Sequence, residues 1–423
     1  MDLFDKARRF RNDAAYARNR GYPTNPQTAK SLGLYPYFIP LDGSEGTTVT
    51  INGRSLVMLG SNNYLGLTTH PDVRAAAAQA IDSFGTSCTG SRFLNGTLAL
   101  HLELEAELAS FLGKERALVF GTGYQVNLGT ISALVGRNDI VICDKENHAS
   151  IVDGSRLCLG KLVRYRHNDM EDLERVLKAC GSDAGRLVVV DGVFSMGGDL
   201  SPLPQIVTLC KEYEARLMVD DAHGIGVTGD GRGTAAHFGL TDDVDLIMGT
   251  FSKSLASVGG FVAGEEAVID WIRHFARSLI FSASLPPPSA AAALAALEVL
   301  RREPERVTRV NAAAERMRSE YREAGYVVGN SQTPIVPIFV GDAMDAMATW
   351  KRVLDAGVYT NVAIPPAVPE GKSLLRTSYM ATHTDQQLDE VARVFADVAE
   401  EGPPQDLSRH ESSNPRISTS TEG

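Results

Sequence analysis

No run of 18 uncharged apolar residues occurs anywhere in the 423-residue chain, so the sequence offers no helix that could cross a bilayer. Cysteine is scarce. Cys88, Cys143, Cys158, Cys180 and Cys210 are odd in number, widely spaced, and show neither a CxxC pair nor metal-ligand spacing. That excludes a disulfide framework and a zinc module, and predicts buried thiols in a reducing cytoplasm. Positive charge is also short: 41 Lys and Arg stand against 52 Asp and Glu, a formal net charge of -11. Nucleic acid is thereby excluded as the main partner, because phosphate backbones are gripped by clustered Lys and Arg. The first residues, MDLFDKARRFRNDAAYARNRGY, mix acids with bases and lack the apolar segment of a secretory signal. Internal repeats are missing as well.

What is present is an ordinary globular composition, 43% hydrophobic and 22% charged, on a chain long enough for one large and one smaller domain. The N-terminal segment reads as one amphipathic helix with Leu3, Phe4, Ala7 and Phe10 on a face that packs on a partner or on the chain itself; any membrane contact is peripheral. Residues 46–60 read as a hairpin turned at Asn52-Gly53. Helical periodicity over about 71–84 and 98–112 precedes the apolar run ALVF, after which DIVICD, GRLVVVDGVFS, ARLMVDDA and DLIMGTFS alternate with helices. Strands and helices of this length imply βαβ units, a doubly wound, mostly parallel sheet, and a ligand beyond the strand carboxyl ends. After PPPS (286–289), an Ala-rich, charged pattern predicts one long helix to about residue 325. It leads into a smaller C-terminal α/β region built on YVVG, IVPIFV, VYTNVAI and SLLRTSYM. The expected division is an N-terminal helix and hairpin (1–60), a large domain (61–295), a small domain (296–402) and a disordered tail (403–423) rich in Pro, Ser and Thr.

Chemistry-bearing residues sit where the strands end. Lys253 follows DLIMGTF, with hydroxyls at Thr250, Ser252 and Ser254 and glycines beyond. A lysine at such a strand-to-loop junction can form an adduct with an aldehyde while the hydroxyls hold a phosphate; taken alone it reads more readily as a solvated loop lysine. Asp220, Asp221 and His223 end RLMVDDAHG, where alternation puts Asp220 and Asp221 on opposite sides. As a metal pair they lack a third ligand of suitable spacing, and a helix N-cap is the other plain reading. Ser195 and a Gly pair end LVVVDGVFS, which alone is a turn. Gly121, Thr122, Gly123 and Tyr124 lie at a strand-to-helix junction whose N–H groups suit a phosphate. His148 follows IVICD and could stack on a planar ligand. A lysine, a carboxylate and a histidine, each after its own strand, together suit pyridoxal 5'-phosphate (PLP): the amine takes its aldehyde and the carboxylate keeps its ring nitrogen protonated.

The segments SNNYLGL (61–67), TGSRFLNGT (89–97), GTGYQVN (121–127), HASIVDG (148–154), DGVFSMGGD, VDDAHGIG, GTFSKS and FSASLPP (281–287) resemble the α-oxoamine synthase family of PLP enzymes over about residues 45–400. The resemblance implies the PLP-dependent transferase fold of type I and a homodimer with active sites shared between subunits. It makes Lys253 the Schiff-base lysine and proton shuttle, His148 the stacking residue, Asp220 the partner of the ring nitrogen, and Ser195 and His223 the holders of the 3-oxygen. Gly123, Tyr124, Thr250 and Ser252 would bind the phosphate, with Ser282 reaching in from the partner subunit. Asn62 and Arg376 of LLRTS would hold the substrate carboxylate, and Ser91 leaves room for a side chain on the amino acid.

Members of the family join an amino acid to an acyl-CoA with loss of carbon dioxide. TGSRFLNGT, RYRHND (164–169), GTFSKS, FSASLPP and PPAVPEG…LLRTS look most like bacterial members that condense L-serine with palmitoyl-CoA to a 3-ketosphinganine-like α-amino ketone, a step of sphingolipid-type lipid metabolism. Two features depart from that pattern. Ile364 stands in AIPP where some of those members carry an arginine that contacts substrate. The Asn62-Asn63 pair is closer to 8-amino-7-oxononanoate synthases and 2-amino-3-ketobutyrate CoA ligases. A polyketide-tailoring member would instead take its acyl group from an acyl carrier protein. A non-catalytic partner subunit of the same fold should lack the lysine, which is present here.

Overall fold

The computed structural model describes residues 2–181 and 183–402. Its strands fall into three sheets. The first pairs β1 (Gly43–Ser44), β2 (Thr48–Ile51) and β3 (Arg54–Met58); the central one runs through β4 (Arg116–Phe120), β5 (Ile140–Asp144), β6 (Lys161–Tyr165), β7 (Arg186–Asp191), β8 (Arg216–Asp220), β9 (Leu246–Thr250) and β10 (Gly260–Gly264). The third contains β11 (Val327–Val328), β12 (Ile335–Gly341), β14 (Asn361–Ala363) and β15 (Ser373–Ser378), while β13 (Val358–Tyr359) returns to pair in parallel with β3. The turn between β2 and β3 carries Asn52 at φ 50° and Gly53 at φ 73°, the left-handed pair that a two-residue hairpin requires.

The central order is β4-β10-β9-β8-β7-β5-β6, parallel from β9 to β6, with β10 antiparallel between β4 and β9. Its strands are apolar throughout because helices cover both faces. Val188, Val190, Leu217, Val219 and Ile247 enter one core, whereas the alternate residues Leu187, Val189, Met218, Leu246 and Met248 enter the other. The five strands β4, β5, β7, β8 and β9 bring their carboxyl ends to one edge, which is where the predicted site residues emerge.

Two expectations are corrected. The N-terminal segment is not one helix but two, Asp5–Asn12 and Ala14–Arg18, because Asp13 takes an extended conformation and its carboxylate accepts from the Tyr16 N–H at 3.0 Å. Within the chain Leu3, Phe4 and Ala7 of its apolar stripe are exposed, and the half-buried Phe10 meets the edge of Tyr22. The long helix after residue 286 is also two, Pro287–Arg302 and Glu305–Glu323. Pro304 lacks an N–H and disfavours helical geometry at the preceding residue, and Glu303 leaves the helix at φ −124°, ψ 61°. Within residues 1–60, Ala29, Leu34, Val57 and Leu59 share a core with Val310, Ile338, Trp350, Val362 and Phe395. The tail expected to be disordered lies outside the described residues.

Candidate active site

Loops from β4, β5, β7, β8 and β9 enclose a cavity of about 340 Å³ lined by Gly123, Tyr124, His148, Ser195, Asp220, His223, Thr250, Ser252 and Lys253. Lys253 lies three residues past the end of β9. A second opening, lined by Asn62, Ser252 and Lys253, adjoins it on the side of the Pro287–Arg302 helix.

The charges on these groups follow from burial. Burial pushes the Lys253 amine below its usual range, with the Asp220 carboxyl opposing the shift and the Arg376 guanidinium reinforcing it. A lysine so placed is more readily an uncharged nucleophile. Burial lowers His148 as well, against Asp220 and with Lys253. His223 is driven far below the histidine range by burial, then by the cations Lys253 and Arg376. Asp191 moves the other way, well above the carboxylate range, through burial and the neighbouring Asp220.

A chain of hydrogen bonds fixes Asp220 and His148 relative to each other. The Asn127 amide donates to Asp220 Oδ2 at 2.7 Å and to Ser150 Oγ at 2.8 Å, and the Ser150 hydroxyl lies 2.8 Å from His148 Nδ1. With Nδ1 accepting from Ser150, the proton of the neutral imidazole sits on Nε2. His148 also caps the helix Ala149–Leu157, and its own N–H donates to Asp191 at 2.8 Å. Asp221 does point away from Asp220, buried against the Thr234 hydroxyl at 2.6 Å.

A second network surrounds Arg376, which β15 carries beneath the loop of Ser195. Its Nε donates to the Ser195 carbonyl at 2.6 Å, Nη1 to Ser378 Oγ at 2.8 Å and Nη2 to Asn62 Oδ1 at 3.0 Å. The fully buried Tyr64 hydroxyl lies 2.7 Å from His223 Nδ1 and 3.3 Å from Asn62 Oδ1, so it ties His223 to the network around Arg376.

The helix Gly123–Leu134 aims its N-terminus at the cavity, and first-turn N–H groups have no intrahelical partners. Thr250 Oγ1 and Ser252 Oγ lie 2.8 Å apart beside it. A Cβ on Gly123 would fall 2.9 Å from Thr250 Oγ1, so only glycine leaves this cradle open. An anionic group meets backbone donors, hydroxyls and the positive helix end there.

Ser91 and Ser282 are not brought to the cavity within the chain. Ser282 Oγ instead accepts from Gln125 at 3.1 Å, and the Ser91 hydroxyl is buried without a hydrogen-bond partner. Their two segments are joined where the Ser284 N–H donates to the Gly90 carbonyl at 2.9 Å. Around that junction Phe93, Leu94 and Phe281 are exposed. Sequence reasoning missed Asn127, Ser150 and Tyr64. All three lie inside motifs already singled out, and a polar residue on an otherwise apolar helix face, as in GYQVNLG, was the available signal.

The chain matches the family model "Aminotransferase class I and II" over residues 54–395. A serine palmitoyltransferase of Bacteroides thetaiotaomicron is 51% identical over 365 residues, 86% of this chain and 93% of its own. An 8-amino-7-oxononanoate synthase of Geobacter sulfurreducens is 46% identical over 378 residues, 89% of this chain and 97% of its own. Among solved structures, the Sphingomonas wittichii serine palmitoyltransferase superposes with a TM-score of 0.89 at 39% identity, covering 95% of this chain and 99% of that one. A further serine palmitoyltransferase, solved with PLP, gives a TM-score of 0.89 at 37% identity over the same shares. The chain therefore belongs to the aminotransferase class I and II family, in its α-oxoamine synthase branch.

Proposed function

We propose that this enzyme uses PLP to condense L-serine with a long-chain acyl-CoA, palmitoyl-CoA foremost, releasing CoA and carbon dioxide and forming a 3-ketosphinganine-like α-amino ketone. The observation that carries the reading is the pairing of a buried, low-pKa Lys253 facing Asp220 with the anchored guanidinium of Arg376 beside Asn62. The donor set fits the cofactor: an amine for its aldehyde, a carboxyl for its ring nitrogen, and a glycine cradle for its phosphate. Bound PLP supplies an electron sink for the bonds at the amino-acid Cα.

The residues divide the remaining tasks. Lys253 would hold the aldehyde and, once displaced by substrate, take the Cα proton as a free amine; its lowered pKa suits both. Asp220, fixed by Asn127, would keep the ring nitrogen protonated, and His148 would cover the ring face. Ser195 and His223 would hold the 3-oxygen, His223 being oriented by Tyr64. Gly123, Tyr124, Thr250 and Ser252 would take the phosphate. Arg376 and Asn62 would hold the serine carboxylate, the group that leaves as carbon dioxide, in a fixed orientation. Ser91 would leave space for the serine side chain. Two copies would complete the site, with Ser282 serving the partner and the apolar residues Phe93, Leu94 and Phe281 forming part of the contact.

The test is thiol release from palmitoyl-CoA by the PLP-loaded protein with L-serine, run beside glycine, L-alanine and a Lys253→Ala control. Serine-dependent release that the control lacks is expected. Release only with glycine or alanine would move the chain to another member reaction of the family, and no release with any of the three would refute the proposed condensation.

A further inference from the structure

The motif RYRHND has no part in the site described above, yet it ends beside it. Along the carboxyl edge of the central sheet, β8, β7 and β5 close on Asp220, Asp191 and Asp144, and His167 stands next in that row, two residues past the end of β6. Its ring lies between carboxylates from two loops. Nδ1 is 3.0 Å from Asp144 Oδ1 and Nε2 is 3.2 Å from Asp199 Oδ2, with Glu146 Oε2 at 3.8 Å from Nε2. A neutral imidazole donates from one nitrogen only, so both contacts are made by the doubly protonated ring. Asn168 repeats the bridge: its N–H donates to Asp144 Oδ2 at 2.9 Å and its amide to Asp199 Oδ2 at 3.0 Å, from a backbone at φ 51° that asparagine adopts more readily than most residues.

Each carboxylate anchors a different loop of the site. Asp144 is fully buried; its Oδ1 accepts from the Glu146 N–H at 2.8 Å and its carbonyl from the Asn147 N–H at 3.3 Å, which sets the turn that presents His148. Asp199 closes the loop of Ser195, where its carbonyl accepts from the Phe194 N–H at 3.0 Å. The Phe194 ring meets His167 edge to face with centroids 4.5 Å apart, so the imidazole holds this loop by a charge and by a ring. Ser195 comes next in the chain, and its carbonyl receives the Arg376 Nε at 2.6 Å.

We infer that His167 is a positioning residue, a charged clip that ties the turn of His148 to the loop of Ser195 and so fixes the carbonyl against which the Arg376 fork is set. The inference rests on the proposed use of Arg376 to hold the serine carboxylate and adds to it the group that keeps the fork in place. Neutral replacements separate the two sides of the clip. An asparagine amide nitrogen lies two bonds from Cβ, as Nδ1 does, and can still serve Asp144. A glutamine amide nitrogen lies three bonds away, as Nε2 does, and can still serve Asp199. Only the Asp199 side leads to Arg376, so glutamine should keep what asparagine loses.

The test is the dissociation constant of L-serine from the PLP holoenzyme, read by cofactor absorbance with no acyl donor present, beside the two KM values in thiol release and the urea midpoint. His167→Asn should weaken serine roughly tenfold, the worth of one charge-assisted hydrogen bond, and leave the KM for palmitoyl-CoA within about twofold. His167→Gln should bind serine within about threefold of wild type. Asp199→Asn approaches the same link from the loop, at a half-buried position. Alone it should weaken serine about threefold, and added to His167→Asn it should cost nothing further, because the link is already cut. Asparagine and glutamine variants that are equally weak, or that keep wild-type serine affinity at a lowered urea midpoint, would overturn the positioning role and leave His167 to the stability of the fold. Unchanged serine affinity in Asp199→Asn, or additive losses in the double variant, would overturn it too. Wild type that bound serine and released no thiol would remove the condensation, and the serine constants of the variants would still decide the clip.

Discussion

Replacing Arg376 by lysine keeps the charge and removes the fork. The guanidinium carries five N–H donors, three of which are committed, to the Ser195 carbonyl, Ser378 Oγ and Asn62 Oδ1. One N–H remains on each terminal nitrogen, leaving two donors for a carboxylate. A lysine ammonium is a single point that cannot serve three divergent acceptors and a carboxylate together. Losing one of the two charge-assisted bonds to serine costs about 1.5–3 kcal/mol. In kcat/KM for serine that is a fall of roughly 10- to 150-fold. The assay is the initial rate of thiol release as serine and palmitoyl-CoA are varied in turn, with cofactor absorbance confirming that the site is loaded. The KM for serine should carry the change, with that for palmitoyl-CoA within twofold of wild type. A variant that kept its serine KM and lost affinity for the acyl donor would refute the assignment of this guanidinium to the carboxylate. Ser378→Ala, which removes only a support of Nη1, should show the same direction at smaller size.

Other perturbations test the supporting structure. Gly123→Ala places a methyl 2.9 Å from Thr250 Oγ1; overpacking of this kind costs about 1–3 kcal/mol, so PLP titrated into the cofactor-free protein should bind at least fivefold more weakly. Equal affinity would deny the cradle. Asn127→Leu leaves Asp220 and the Ser150 hydroxyl without their buried donor, and should lower unfolding stability in urea by about 1–3 kcal/mol while weakening PLP retention; a change in neither would show that the link is idle. His167 gives a pH signature. Burial alone would lower its pKa, but hydrogen bonds to Asp144 and Asp199 raise it to about 10. A raised pKa means stability fully present below the unfolded value near 6.5 and lost as pH climbs through about 10. His167→Asn should therefore be most destabilising, by urea midpoint, near pH 6 and approach wild type near pH 10; a pH-independent difference would contradict the ion cluster.

Much of this enzyme was legible in one dimension because its chemistry sits at strand ends. Strands such as LVVV and LMVDD are marked by apolar runs and β-branched residues, and a parallel sheet must deliver their carboxyl ends to one edge. Lys253, Asp220, His148 and the Gly123 turn could thus be grouped before any coordinates, since each needs only its own local signal. Asp221 shows the same logic at one residue's resolution: alternation along β8 turned it away from Asp220, where Thr234 receives it. What local pattern could not supply were relations between segments far apart in the chain. That Tyr64 orients His223, and that Asn127 and Ser150 connect Asp220 to His148, depends on packing among helices and loops that no periodicity encodes. The N-terminal segment was read as one helix for a related reason. Helical spacing of Leu3, Phe4 and Phe10 specifies a face, whereas Asp13 ends the helix and the fold leaves Leu3 and Phe4 exposed. Residues 22–38 and the Ile364–Ala367 turn meet around one apolar cavity because β13 pairs with β3 across some 300 positions of sequence, a contact set by chain topology and burial rather than by local propensity.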